Sequence, residues 1–81
     1  MATLYKADGS IEDVTVNGLD DLQKHVGGNI EVVPGMEKNI NDKHYLYLVN
    51  EEGIIEGLPG NKTYPGLYGN VLMVEFGKEF E

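Results

Sequence analysis

The chain has 81 residues, of which 14 are acidic and 6 are basic, so its formal net charge is −8 at pH 7. A chain of this length holds one hydrophobic core, so residues 1–81 are expected to form a single domain. All 6 cations are lysines, and because arginine is the usual bidentate ligand of phosphate and guanine, this composition excludes most modes of sequence-specific nucleic-acid binding.

The composition of the sequence and the pattern of its apolar residues also indicate cellular location and assembly. No apolar run approaches the length of a membrane span, and the first ten residues lack the basic and apolar regions of a signal peptide. We therefore expect a cytoplasmic protein with no membrane partner. The sequence has no cysteine, so no disulfide can stabilise so small a core, and we expect additional burial in a homo-oligomer.

The first hairpin and the helix have clear local signals. Residues 2–7 and 11–16 are predicted strands, and the Asp8-Gly9 pair between them favours a tight turn because glycine accepts a positive φ. Residues 19–26 place apolar side chains at the i, i+3, i+7 spacing of a helix. Asn17 is the expected N-cap of this helix, and glycines follow its last residue.

The next elements are strands and loops. Residues 29–34 predict a third strand, and the polar residues 36–43 predict a loop. Residues 44–50 are apolar on both faces, which is typical of a central strand. The following turn is expected to hold Gly53 in the left-handed region, and residues 54–56 to return as a short strand.

The last third of the chain alternates between a loop and a strand. Residues 57–66 contain two prolines and three glycines, so they predict a loop. Residues 71–76 are the most apolar strand, and residues 77–81 are expected to fray. Together these elements predict an α+β fold, with five or six strands in a twisted, mostly antiparallel sheet and one short helix packed on it. Whether the sheet is open or partly rolled is left undecided.

Catalytic and metal-binding patterns are missing from the sequence. His25 and His44 lack the short spacing of paired metal ligands, so both are interpreted as structural. Adjacent carboxylates are interpreted as turn and cap residues, and no nucleophile has a base nearby in the sequence. We therefore expect no enzyme activity, no cofactor and no metal site.

The loop of residues 57–68 is the predicted ligand-binding site. Its GNKT sequence is similar to the end of a phosphate loop, but the asparagine between glycine and lysine excludes that motif. Backbone amides, one lysine and two tyrosines could still hold a base and a phosphate. The alternative is an ordinary crossover loop whose tyrosines pack on the sheet. The predicted ligand-binding residues are Asn50, Gly57, Leu58, Pro59, Gly60, Asn61, Lys62, Tyr64 and Tyr68.

Four segments, in order, carry a family resemblance: YKADGSIEDV, HVGGNIEVVP, LVNEEGIIEGLPGN and GNVLMVEF. They resemble a family of small domains of unknown function found in bacteriophage, prophage and conjugative-element proteins. The chain departs from that pattern at Gly60, Pro65 and Gly66, where the family commonly has helix-forming residues. The signature positions implied by the resemblance are Asn50, Gly53, Leu58, Pro59, Asn61 and Gly69.

The resemblance implies a mobile-element protein in the cytoplasm of a bacterial host cell, and small phage proteins often neutralise host defences by binding. The first hypothesis is a non-enzymatic protein that sequesters a small nucleotide-type immune signal between subunits. The second is an acidic protein–protein inhibitor, of the DNA-mimic type, that binds a host defence enzyme. The third is an accessory structural domain without a defence role. The acidic surface of the second hypothesis would consist of Glu12, Asp13, Asp20, Asp21, Glu51 and Glu52.

Overall fold

The computed structural model describes residues 2–75. Six strands form one open antiparallel sheet in the order β2-β1-β6-β5-β3, and β4 also pairs with β5. One short helix completes the fold, so the predicted α+β class is confirmed. The elements are β1 (Ala2–Tyr5), β2 (Ile11–Val14), α1 (Leu19–Val26), β3 (Ile30–Val32), β4 (Lys38–Ile40), β5 (Lys43–Asn50) and β6 (Val71–Glu75).

The hairpin of β1 and β2 forms at the predicted turn. The Lys6 N–H donates to the Ser10 carbonyl at 2.8 Å, and Gly9 has a φ of 98°. The Asp8 carboxylate accepts a bond from the Ser10 N–H at 2.8 Å, and hydrogen bonds from the backbone and the side chain of Ser10 lower the pKa of Asp8. The predicted hairpin is thus confirmed.

The helix α1 spans the predicted residues, but its N-terminus differs from the prediction. Gly18 is the N-cap and makes no side-chain cap bond. Asn17, the predicted cap, precedes the actual cap by one residue. Its N–H donates to the Asp21 carboxylate at 2.8 Å. At the other end Gly27 adopts a φ of 84° and its N–H donates to the Gln23 carbonyl. This is the expected glycine C-terminus.

The strand β4 differs from the sequence prediction. Residues 36–43 were expected to form a loop, yet β4 pairs with the first half of β5. Asn41 and Asp42 join them with φ values of 51° and 65°, the two positive angles of a type I′ hairpin turn. All three side chains of β4 are exposed, so the segment has no apolar alternation to indicate a strand.

Residues 54–56, predicted as a short strand, form part of one helical turn instead. The Glu56 N–H donates to the Glu52 carbonyl at 2.8 Å, and the Leu58 N–H donates to the Gly53 carbonyl at 2.9 Å. The bond from Leu58, together with a bond from the Gly57 N–H to the Ile54 carbonyl at 3.1 Å and the φ of 72° at Gly57, forms a Schellman motif, which ends a helical turn. The turn leaves both isoleucines, Ile54 and Ile55, exposed to solvent.

Gly53 was expected to adopt the left-handed conformation with a positive φ. This prediction is wrong, because the φ of Gly53 does not lie in that region. A Cβ atom built on Gly53 would lie 3.1 Å from the Tyr68 carbonyl oxygen. The position therefore favours glycine because two backbone segments approach each other closely.

The strand β5 lies inside the sheet between β6 and the β3/β4 edge, so the predicted central strand is confirmed. Its alternating side chains divide the core between two faces. The helix face carries the larger buried cluster, and the loop face is covered by residues that follow β5. The helix-face cluster contains Ala2, Leu4, Leu22, Val26, Leu46, Leu48, Leu72 and Val74. The loop-face cluster contains Tyr47, Val49 and Val71, with Tyr5, Val33, Met36, Tyr64, Leu67 and Met73 packed against them.

The predicted closing strand is confirmed as β6 up to Glu75. Residue 76 and the predicted frayed tail 77–81 lie outside the described residues. No helix within residues 2–75 is long and apolar enough to cross a membrane.

Candidate functional site

Asn61 organises the loop that covers one face of the sheet. Its side chain is 3% exposed. The Nδ2 group donates to the carbonyls of Tyr5 at 2.9 Å and Gly69 at 3.0 Å. The Oδ1 atom accepts from the N–H groups of Thr63 at 2.9 Å and Tyr64 at 3.0 Å. These four bonds use both donors and both lone pairs of the amide, so Asn61 has none left for a ligand.

Asn50 fixes the turn that follows β5. It is 4% exposed, its Oδ1 atom accepts from the Glu52 N–H at 2.8 Å, and its Nδ2 group donates to Glu56 at 3.2 Å. A Cβ atom on Gly28 would lie 2.9 Å from Asn50 Nδ2. The glycine after the helix therefore leaves space for this asparagine.

Asn70 joins the end of the helix to the end of the first strand. Its Oδ1 atom accepts from the Ala7 N–H at 3.1 Å, and its Nδ2 group donates to the His25 carbonyl at 3.1 Å. Together with Asn50 and Asn61, it holds residues 50–70 against the sheet. The asparagines at positions 50 and 61 of the family resemblance are therefore explained by folding.

A tyrosine cluster lies under the loop. The ring of Tyr64 meets the ring of Tyr5 edge-on at 5.0 Å and that of Tyr47 at 5.4 Å. The Tyr64 hydroxyl donates to the Tyr47 hydroxyl at 3.4 Å, and Lys38 Nζ lies 5.9 Å from the Tyr47 ring centroid. Tyr64, one of the two tyrosines that could have held a base, thus packs against the sheet, as in the alternative of an ordinary crossover loop.

This cluster predicts a loss of stability at alkaline pH. Burial, followed by a hydrogen bond to Tyr64, raises the pKa of Tyr5. Burial and a bond to Tyr47 raise the pKa of Tyr64. A pKa raised by folding stabilises the protein below the unfolded value, about 10 for tyrosine, and this contribution is lost as the pH rises through the folded pKa. We expect the urea midpoint to fall above about pH 10.

Circular dichroism at increasing pH measures this midpoint in the wild type and in Tyr64→Phe. The phenylalanine variant should lose less stability over the alkaline range, because its ring cannot ionise. Tyr68→Phe is the matched control, since Tyr68 lies outside the cluster. Equal alkaline losses in Tyr64→Phe and the wild type would contradict the prediction.

An open cavity of about 420 Å³ lies on the loop face beside the end of β5. Four parts of the chain surround it: the strand β3, the end of the strand β5, the helical turn 51–57 and the loop residues 66–68. Its lining residues are Glu31, Val49, Asn50, Glu51, Gly53, Ile54, Ile55, Gly66, Leu67 and Tyr68. The cavity is therefore built from segments that are far apart in the sequence.

The chemistry of this cavity is apolar and acidic. Ile54 is 74% exposed and Ile55 is 83% exposed, whereas isoleucine is among the side chains most often buried. Among residues 2–75, the charged lining residues are the carboxylates Glu31 and Glu51, and no lysine lines the cavity. Such a surface favours a ligand that combines apolar groups with positive charge.

The predicted ligand-binding residues do not share one site. Asn50 and Tyr68 line the cavity described above, whereas Leu58 and Pro59 line a second cavity of about 220 Å³ beside the end of α1. The others face neither cavity: Gly60 is bridged to Tyr68, and the Lys62 N–H donates to the Ala7 carbonyl at 3.2 Å. Gly57 ends the helical turn, as described above.

Sequence reasoning missed most of the cavity lining, including Glu31 and the two exposed isoleucines. The local signal was the pair Ile54-Ile55 after Gly53, which was interpreted as part of a short returning strand. Among residues 2–75, no group of three or more histidines and carboxylates is arranged to hold a metal ion.

The fold and the cavity define a small α+β domain with an open, apolar and acidic pocket on one face of its sheet. The chain belongs to the family described as "Domain of unknown function (DUF3846)", whose model matches residues 2–81. The predicted membership of a family of unknown function is therefore confirmed. Comparison with curated proteins and comparison with solved structures gave no match.

Proposed function

We propose that this domain is a non-enzymatic binding protein whose partner is a basic polypeptide. The observation that carries the proposal is the cavity, where the carboxylates Glu31 and Glu51 border the exposed side chains of Ile54 and Ile55. Exposed apolar surface with a charged rim is typical of protein–protein contact sites. The net charge of −8 would attract a basic partner over long range.

Among the hypotheses above, this proposal corresponds to the acidic protein–protein inhibitor. The acidic residues expected to form its surface are dispersed, however. Glu12 and Asp13 lie on β2, at the edge of the sheet opposite β3, and Asp21 bonds to Asn17. Glu51 alone of those six lines the cavity. The proposed surface is therefore the apolar and acidic cavity, with no extended row of phosphate-like charges.

A nucleotide ligand is less well supported. Asn61 is occupied by backbone bonds, Tyr64 packs against other tyrosines, and the cavity carboxylates would repel a phosphate. The nucleotide hypothesis stays a prediction, and thermal unfolding across a panel of cyclic nucleotides and ADP-ribose derivatives tests it. The resemblance to mobile-element proteins supports a bacterial defence enzyme as the basic partner.

The experiment uses a synthetic peptide in which lysine or arginine alternates with valine, labelled for fluorescence anisotropy. Burying an exposed isoleucine is worth about 1.5–3 kcal/mol, so the double variant Ile54→Ser/Ile55→Ser should bind the peptide about tenfold more weakly or worse. Affinity should also fall with salt, because exposed charges are screened over about 8 Å at physiological ionic strength.

The matched control is Ile11→Ser/Ile40→Ser, which alters two exposed isoleucines that do not line the cavity. It should bind like the wild type. Since both double variants keep the net charge, a difference between them cannot come from non-specific attraction. The proposal would be overturned if the wild type and both double variants bound the basic peptide with equal affinity. It would also be overturned if the wild type bound an acidic peptide as tightly as the basic one.

A further inference from the structure

We infer that the partner segment binds as an extended antiparallel strand added beside β3, with an arginine or lysine directed over Glu31 into the cavity. This inference rests on the proposed function and specifies how the same site is used. The partner is a strand in which a long cationic side chain stands between two apolar side chains.

The first argument is the hydrogen-bonding edge of β3. The Asn29 carbonyl accepts from the Glu51 N–H at 2.8 Å, and the Val33 N–H donates to the Tyr47 carbonyl at 2.9 Å. Because bonded pairs alternate along an antiparallel ladder, the backbone groups of Ile30 and Val32 point away from β5. Within residues 2–75 no strand pairs with that outer edge. An unpaired edge is a template for strand addition.

The second argument is the direction of the side chains. Ile30 packs with the helix-face cluster, and Val32, two residues on, shares that face while remaining 40% exposed. Glu31 lies on the opposite face and lines the cavity. In an added strand the residue opposite Glu31 would place its Cβ about 4.5–5.5 Å from that of Glu31. Its two neighbours would lie beside Ile30 and Val32.

The third argument is the fit of a long cationic side chain. Its aliphatic stem can lie along Ile54 and the ring of Tyr68, while its charged end reaches Glu31 or Glu51. Tyr68 is 40% exposed, so its ring is accessible to a guanidinium or ammonium group. One side chain of this kind would use both the apolar and the acidic parts of the lining.

A second copy of the chain is a poorer occupant of this edge. Symmetric antiparallel pairing of two β3 strands about Glu31 would place Glu31 directly opposite its counterpart, and like charges in that position are destabilising. Each copy also carries a net charge of −8. Charge complementarity therefore selects a basic partner strand.

The experiment compares three versions of the arginine–valine peptide: unmodified, N-methylated at the valines, and N-methylated at the arginines. If arginine stands opposite Glu31, the valine N–H groups face the outward backbone of Ile30 and Val32. We expect N-methylation of the valines to weaken binding about tenfold or more. N-methylation of the arginines should leave it unchanged. In the bound protein, amide exchange at Ile30 and Val32 should slow.

A charge swap adds a second readout at the same position. Glu31→Arg should weaken binding of the arginine peptide and restore affinity for a peptide with glutamate in place of arginine. Asp13→Arg, a swap on the opposite edge strand, is the control and should restore nothing.

Other results separate this inference from the proposed function. If both methylated peptides bind like the unmodified one while Ile54→Ser/Ile55→Ser binds weakly, strand addition is wrong and the proposed function stands. If no basic peptide binds, both fail. Slow exchange at Ile30 and Val32 in peptide-free protein that sediments as a dimer would assign the edge to a second copy and overturn the inference.

Discussion

Replacing Asn61 with alanine is expected to lower the free energy of unfolding by about 3 kcal/mol or more, because it removes four bonds from a buried site. The carbonyls of Tyr5 and Gly69 would lose their donor, and the N–H groups of Thr63 and Tyr64 would lose their acceptor. Since native proteins are stable by only about 5–15 kcal/mol, this loss would remove a large share of the free energy of unfolding.

Urea unfolding followed by circular dichroism measures this loss. Asn61→Asp should lose at least as much stability, since it keeps the acceptor oxygen for the two N–H groups but places its second carboxylate oxygen against two backbone carbonyls at a buried site. Asn29→Ala is the matched control, because Asn29 is exposed and accepts only a 3.4 Å side-chain bond from Gln23. An unchanged midpoint for Asn61→Ala would show that the loop is held mainly by other contacts.

Replacing Leu48 with alanine is expected to cost about 2–5 kcal/mol, the range for leucine truncation in a packed core. Leu48 is 0% exposed and lies opposite Leu72, in the middle of the helix-face cluster. The cavity left behind would border β6, which cannot move without breaking its pairing with β1 and β5.

The informative comparison is Ile54→Ala, which truncates another large aliphatic side chain, 74% exposed to solvent. We expect it to change stability by no more than about 0.5 kcal/mol. Urea unfolding of Leu48→Ala and Ile54→Ala measures the two losses of stability. A comparable loss from Ile54→Ala would assign the turn to the core and remove the main support for a binding surface.

Local signals predicted those parts of the fold that depend on nearby residues. The helix Leu19–Val26 follows from its apolar spacing and from the glycine after it, and the first hairpin follows from Asp8-Gly9. The strand β4 could not be predicted, because its side chains are exposed and its stability comes from pairing with β5. The pair Ile54-Ile55 was misassigned because β-branched residues favour strands, whereas here the glycines on either side permit a helical turn.

The cavity could not be predicted, because it depends on sheet register. Glu31 and Val49 are cross-strand partners, and only this pairing brings Glu31 next to the turn after β5. The prediction followed the glycine- and proline-rich loop instead. In the structure that loop contributes Leu67 and Tyr68 to the cavity, while its asparagine and Tyr64 hold it in place.

The pairing of β1 with β6 determines how the domain can be attached to other chains. Thr3 lies opposite Met73, so Ala2 and Glu75 emerge side by side at one end of the sheet. The cavity lies at the other end, beside Asn50. Ala2 and Glu75 therefore lie together at the end of the sheet away from the cavity, and such closeness is the arrangement that favours insertion of a domain into a surface loop of another protein.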